Sequence, residues 1–138
     1  MTADGVESLG SASIDFPLPD LTKRIIGAAF EVHKALGPGF LEKVYEAALL
    51  HELRTSGLRA SAQAPIVVKY KNVRVGDYYA DILVDDAVIV EVKACDGLVD
   101  AHEAQVLNYL KATGKPVGLF LNFGTSRVQV KRLARTRR

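Results

Sequence analysis

The stretch DILVDDAVIVEVKA, residues 81–94, has the pattern of two β-strands joined by a short acidic turn. Isoleucine, leucine and valine dominate it, as they do in buried strands. Three charged residues interrupt this apolar pattern, namely Asp81, Glu91 and Lys93. Burying an unpaired charge costs roughly several kcal/mol even after the protein relaxes. The stretch therefore predicts that the three charges compensate one another or share a bound ion.

The length of the connection between these two strands decides whether the charges meet. Glu91 and Lys93 are two residues apart, so on a strand they project from the same face. With a two-residue hairpin turn, Asp81 would lie on the opposite face from Glu91. With a connection of three or five residues, or with a β-bulge, Asp81 would lie opposite Glu91. We expect convergence, because it is the arrangement in which the charges can offset one another.

Two carboxylates on adjacent strands suit a hard divalent cation. Mg²⁺ is held in proteins by one or two carboxylates together with water and phosphate oxygens. Asp81 and Glu91 are the predicted ligands, with the backbone carbonyl of Val92 as a third, and Mn²⁺ is an alternative ion. Such a metal acidifies a water for attack on phosphorus, while Lys93 stabilises developing negative charge or holds the nucleophile. The competing interpretation of the acid-x-base triplet is a surface ion pair.

The rest of the chain predicts one α/β domain with a mixed sheet. Helical periodicity and a Gly-Pro stop indicate a broken helical unit first, and a change to β-branched and aromatic residues follows it. In chain order the predicted elements are two helices over 20–57, a meander of three or four antiparallel strands over 64–94, a helix over 100–114, and strands over 117–123 and 127–133. The predicted domain covers residues 20–131, between a flexible arm at 1–19 and a basic tail at 132–138.

Composition places few limits on function. The formal net charge is +2, and five of the last eight of the 138 residues are basic. This tail adds at most a few phosphate contacts, unless a homodimer pools two of them. No apolar run approaches the ~18–20 residues that span a bilayer, so we expect no membrane association. The single cysteine, Cys95, and the lack of a secretory pattern in residues 1–19 indicate a cytoplasmic protein.

Two motifs bring the sequence close to a known family. Asp81, followed after an apolar run by Glu91-Val92-Lys93, resembles the signature of the PD-(D/E)XK nuclease-like superfamily. The stretch GFLEKVY, residues 39–45, resembles the pattern for which the GxxExxY family of that superfamily is named. The resemblance extends from about residue 25 to 123. It implies a restriction-endonuclease-like αβββαβ core, in which a mixed sheet is flanked by helices.

The resemblance also implies roles for individual residues. Asp81 and Glu91 would be metal ligands, and Lys93 the catalytic lysine. Glu42, on the second helix, would be an accessory acid near the metal. Ala80 stands where the signature has proline, which affects the expected backbone shape and leaves the ligands unchanged.

A further element of the resemblance lies on the predicted helix after the strands. Gln105 and Tyr109, within HEAQVLNYL, match a Q-xxx-Y pattern that some branches of the superfamily carry, and so would belong to the site. Two functions follow as alternatives. One is Mg²⁺-dependent hydrolysis of phosphodiester bonds in DNA. The other is a catalytically silent module that binds nucleic acid or a protein partner and keeps the charges as a structural network.

Overall fold

The computed structural model describes residues 16–97 and 100–135. Most of the predicted arm at 1–19 and the end of the predicted tail therefore lie outside the described residues. None of the described helices is long and apolar enough to cross a lipid bilayer. The elements are α1 (Pro19–Leu36), α2 (Glu42–Thr55), β1 (Ala60–Tyr70), β2 (Val73–Val84), β3 (Val88–Lys93), α3 (Asp100–Thr113), β4 (Val117–Asn122) and β5 (Gln129–Ala134).

The five strands form one mixed sheet in the order β1-β2-β3-β4-β5. Neighbouring strands are antiparallel except for β3 and β4, which run parallel. A parallel pair needs a long crossover connection, and α3 supplies it. The run from α2 to β4 is therefore αβββαβ, which confirms the predicted fold. The strand β5 extends to Ala134, so the first residues of the predicted tail pair with β4.

Helices cover both faces of the sheet. On one face α1 and α2 pack on the central strands, with Ile25 and Leu49 among the fully buried side chains. On the other face α3 buries Val106 and Leu110 against β3, β4 and β5. All six residues of β4 are buried, which explains why its sequence is apolar without alternation.

Tyr45 fixes the turn between α1 and α2. Its hydroxyl donates a hydrogen bond to the carbonyl of Gly37 and accepts one from the N–H of Phe40. Its ring stacks on Phe123 at a centroid distance of 4.8 Å. Gly39, with φ of 112°, adopts a conformation that disfavours a side chain. The glycine and tyrosine of the GxxExxY pattern are therefore structural in this chain.

The connection between β2 and β3 decides the position of the charges. The chain turns at Asp85 and Asp86, and the Ala87 N–H donates to the carbonyl of Val84. Val84 nevertheless pairs with Val88, so three residues separate the paired ends. This is one of the two connection lengths that place Asp81 opposite Glu91, and the predicted convergence is confirmed.

Asn122 anchors the chain where β3 ends. Its side chain is fully buried and forms four hydrogen bonds: it accepts from the N–H groups of Cys95 and Gly124, and donates to the Cys95 carbonyl and the Gln129 side chain. A buried amide whose donors and acceptors are all paired holds its neighbours in one geometry. The loop that follows Lys93 is thereby fixed to β4 and β5.

Two glycine-to-alanine substitutions test this packing with opposite expected signs. A Cβ at Gly124 would overlap the backbone of Ala94 and Cys95, so we expect Gly124→Ala to destabilise the fold by about 1–3 kcal/mol or more. Gly27 lies within α1 with nothing near the added Cβ, so Gly27→Ala should stabilise by about 0.5–1 kcal/mol. Urea unfolding of both variants measures the two changes, and a Gly124→Ala variant as stable as the wild type would contradict the close approach of Gly124 to Ala94 and Cys95.

Candidate metal centre

Two hydrogen bonds from backbone N–H groups to carboxylates join Asp81 to Glu91 and Val92. The backbone N–H of Asp81 donates to Oε2 of Glu91 at 2.9 Å, and the N–H of Val92 donates to Oδ2 of Asp81 at 2.8 Å. Each carboxylate therefore accepts an N–H from the opposite strand, in place of the backbone pairing that stops at Ile82 and Val90. The result is a fork between β2 and β3, with both carboxylates at its base.

The regular alternation of β2 side chains between the two faces of the sheet is interrupted at Asp81. Ile82 packs in the core beneath α1 and α2, whereas Ala80, two residues earlier, packs in the core beneath α3. Regular alternation would put both residues on the same face. Gln63, on the facing part of β1, has a φ of 53°. Local irregularities of this kind re-aim side chains and are common beside active sites.

Burial gives both carboxylates an unusual affinity for protons. Glu91 is only 4% exposed, and burial together with the nearby Asp81 charge raises its pKa from an ordinary 4.5 to about 8. Burial also raises the pKa of Asp81, against the lowering effect of the Val92 hydrogen bond. Two carboxylates that resist ionisation in the absence of a cation are a suitable site for one.

Lys93 and the Val92 carbonyl face the same region. The charge of Lys93 lowers the pKa of both Asp81 and Glu91, so its ammonium lies within electrostatic reach of the two carboxylates. The Val92 N–H points toward β2, and in an extended strand the carbonyl of the same residue points to the same side. The structure therefore brings together the two predicted acids, the predicted lysine and the predicted carbonyl.

The helix α2 carries two acids near the site, and the predicted one, Glu42, is the more exposed of the two. Glu42, the predicted accessory acid, is exposed in the first turn of α2, and its charge raises the pKa of Asp81. Glu46, one turn later, is buried, and its Oε2 accepts a hydrogen bond from Gln63 at 3.0 Å. Its charge raises the pKa of both Asp81 and Glu91.

Sequence reasoning did not select Glu46. The available signal was its position four residues after Glu42 and directly after Tyr45, whose ring is buried. Residues four apart on a helix are neighbours on its surface, so an acidic pair at 42 and 46 could have been recognised as one unit. The role of Glu42 stays a prediction.

Gln105 and Tyr109 lie beside the fork on the α3 face. The Gln105 amide donates to the Tyr109 hydroxyl at 3.1 Å. Burial, and then the charges of Glu91 and Asp81, raise the pKa of Tyr109. His102, one turn earlier on α3, has a pKa lowered by burial and then by Lys93, and its ring lies 5.1 Å from Phe120. The structure thus places both predicted α3 residues near the carboxylates.

The donor set fits one hard cation. Among residues 16–97 and 100–135, no group of three or more His, Cys, Asp and Glu side chains is arranged to hold a metal ion. Mg²⁺ needs fewer protein ligands than that, because it keeps several of its waters. Asp81 and Glu91 each use one oxygen for a backbone hydrogen bond, which leaves Oδ1 and Oε1 for a cation beside the Val92 carbonyl.

The raised pKa of Glu91 predicts how stability changes with pH when divalent cations are absent. Between pH 4.5 and about 8 the folded chain holds a proton on Glu91 that the unfolded chain releases. Stability should therefore fall as pH rises through this window, by on the order of a few kcal/mol. Glu91→Gln should flatten the slope and be more stable than the wild type at pH 8, as measured by urea unfolding in EDTA.

A matched control is Glu31→Gln, which neutralises an exposed acid on α1. This variant should keep the wild-type slope. Parallel pH dependences for the wild type and Glu91→Gln would contradict a buried, protonated Glu91.

Comparison with known proteins agrees with this arrangement. A family model described as the PD-(D/E)XK nuclease superfamily matches residues 19–133, which is nearly all of the described chain. No curated protein and no solved structure matches. Assignment to the GxxExxY family within the superfamily stays a prediction. The match covers α1 to β5, including the fork between β2 and β3, and the chain belongs to the PD-(D/E)XK nuclease superfamily.

Proposed function

We propose that this protein is a Mg²⁺-dependent nuclease that hydrolyses phosphodiester bonds in DNA. The observation that carries the proposal is the pair of hydrogen bonds that the N–H groups of Asp81 and Val92 donate to the carboxylates of Glu91 and Asp81. They hold the buried Glu91 and the half-buried Asp81 at the base of a fork. Burying two acids together is costly, and a fold that needed only the backbone contacts could use uncharged residues there. A bound cation would offset this cost.

Each residue of the site has a defined task under this proposal. Asp81 and Glu91 would hold the cation with their remaining oxygens, and the Val92 carbonyl would add a third ligand. The chemistry that a divalent cation would supply here is a lowered pKa of a bound water and an offset to negative charge on the phosphate. Lys93 stabilises the charge that develops on the phosphate oxygens, or holds the nucleophile. Mn²⁺ would serve in place of Mg²⁺.

The superfamily supports nucleic acid as the partner, and DNA is the proposed substrate. A cytoplasmic location is an expectation from the sequence. A homodimer would pool two basic tails.

Cleavage assays on linear, nicked and branched DNA with Mg²⁺ or Mn²⁺ test the proposal. We expect the wild type to cleave and the cleavage rate to fall at least about 100-fold in Asp81→Asn and in Lys93→Ala. The first variant removes a ligand of the cation, and the second removes the charge that stabilises the phosphate oxygens. Lys34→Ala, at an exposed lysine on α1, is the matched control and should cleave like the wild type. Cleavage that is unchanged in both site variants would come from a contaminating nuclease.

The alternative function is a silent module in which the charges serve only the fold. It is favoured by the observation that both carboxylates already accept backbone hydrogen bonds. Calorimetric titration of Mn²⁺ separates the two functions. A structural network alone would bind no Mn²⁺ at the site, and Asp81→Asn would leave the titration unchanged.

The two acids of α2 are distinguished by the same titration. The negative charge of Glu46 raises the pKa of both Asp81 and Glu91, whereas that of Glu42 raises the pKa of Asp81. We therefore expect Glu46→Gln to weaken Mn²⁺ binding by about tenfold and Glu42→Gln to weaken it by less. Circular dichroism checks that both variants are folded. A larger effect of Glu42→Gln would instead support the role that the resemblance implies for Glu42.

A further inference from the structure

A groove of about 620 Å³ separates α3 from the hairpin of β1 and β2. Its floor on the helix side contains three alanines, Ala101, Ala104 and Ala112, whose small side chains leave the space open. The hairpin side contains Val68 and Tyr78. The volume is within the range of about 300–1,000 Å³ that small ligands occupy in proteins.

The residues that line the groove suit a ligand that carries several negative charges. Two lysines line it, Lys69 on β1 and Lys111 on α3, and among the described residues no acidic side chain does. Tyr78 and Tyr109 form an aromatic pair in its wall, with ring centroids 5.9 Å apart. Positive charge with aromatic rings is the combination that binds single-stranded nucleic acid, because phosphates meet the lysines and bases stack on the rings.

The groove adjoins the candidate metal centre. Gln105 and Tyr109 line the groove, and Tyr109 packs in the same core cluster as Ala80, the residue before Asp81. A strand that occupied the groove would therefore pass close to Asp81.

We infer that this groove binds the unpaired strand of a nucleic acid next to the bond that is cut, with one base stacked on Tyr78. The inference rests on the proposed function and narrows its substrate class to single-stranded or frayed nucleic acid. A base inside a duplex is stacked on its neighbours, so it can stack on Tyr78 only where the strand is unpaired. The near-neutral chain also provides little charge for an extended duplex contact.

Fluorescence anisotropy in EDTA measures this binding without cleavage. The probes are a labelled oligo(dT) of roughly a dozen nucleotides, an oligo(rU) of the same length, and a blunt duplex of that length. We expect the wild type to bind the single strands more tightly than the duplex. Tyr78→Ala should weaken single-strand binding about tenfold, while Tyr78→Phe, which keeps the ring, should bind like the wild type. Comparison of dT with rU tells which sugar the groove prefers.

The chain offers a matched control on the same strand. Tyr79 is next to Tyr78 and similarly exposed, at 56% against 50%, but adjacent strand residues point to opposite faces. Tyr79→Ala should therefore leave binding unchanged. Lys69→Gln and Lys111→Gln should each reduce the slope of log K against log salt by about 0.7, and Lys34→Gln on α1 should not.

The results separate this inference from the proposed function. If the wild type cleaves DNA but Tyr78→Ala binds single strands as tightly as the wild type, the groove assignment is overturned and the nuclease proposal stands. If single strands bind in a Tyr78-dependent way but no cleavage occurs with Mg²⁺ or Mn²⁺, the nuclease proposal fails and the groove assignment stands. Preference for the duplex would also overturn the groove assignment.

Discussion

The exchange of hydrogen bonds between Asp81 and the Glu91-Val92 pair determines much of this structure. It allows β2 to leave β3 at the point where ordinary strand pairing ends, because two side chains satisfy the N–H groups that the sheet no longer pairs. Beyond that point β3 continues beside β4, and β2 continues beside β1. The opening between them is where the candidate site forms. The same carboxylates thus provide both the backbone geometry and the chemistry.

Much of this could be predicted from the sequence, for identifiable physical reasons. The two-residue spacing of Glu91 and Lys93 determined that they share a face, and the cost of burying charge favoured a register in which Asp81 joins them. The continuous apolar run of β4 predicted a strand covered on both faces. These inferences used short-range periodicity and burial, which a sequence records directly.

Other features depend on contacts between distant segments. The reversal of faces at Asp81 depends on Gln63 in the neighbouring strand, and the burial of Glu46 depends on its contact with that same glutamine. The fourfold bonding of Asn122 joins the distant loop at Cys95 to Gly124 and to Gln129 of β5. Local pattern gives no access to such pairings, which is why the sequence alone did not indicate Glu46 or Asn122.

The position of β1 and β5 at the two ends of the sheet has a consequence for solubility. An edge strand with regular free N–H and C=O groups is a template on which another chain can add. In β1 this template is interrupted by Pro65, which has no N–H, and by the left-handed backbone of Gln63. In β5 Lys131 is paired with Glu103 of α3, and Arg132 places a positive charge where a second copy of the strand would bring its own. Both edge strands therefore carry features that disfavour strand addition and the aggregation to which it leads.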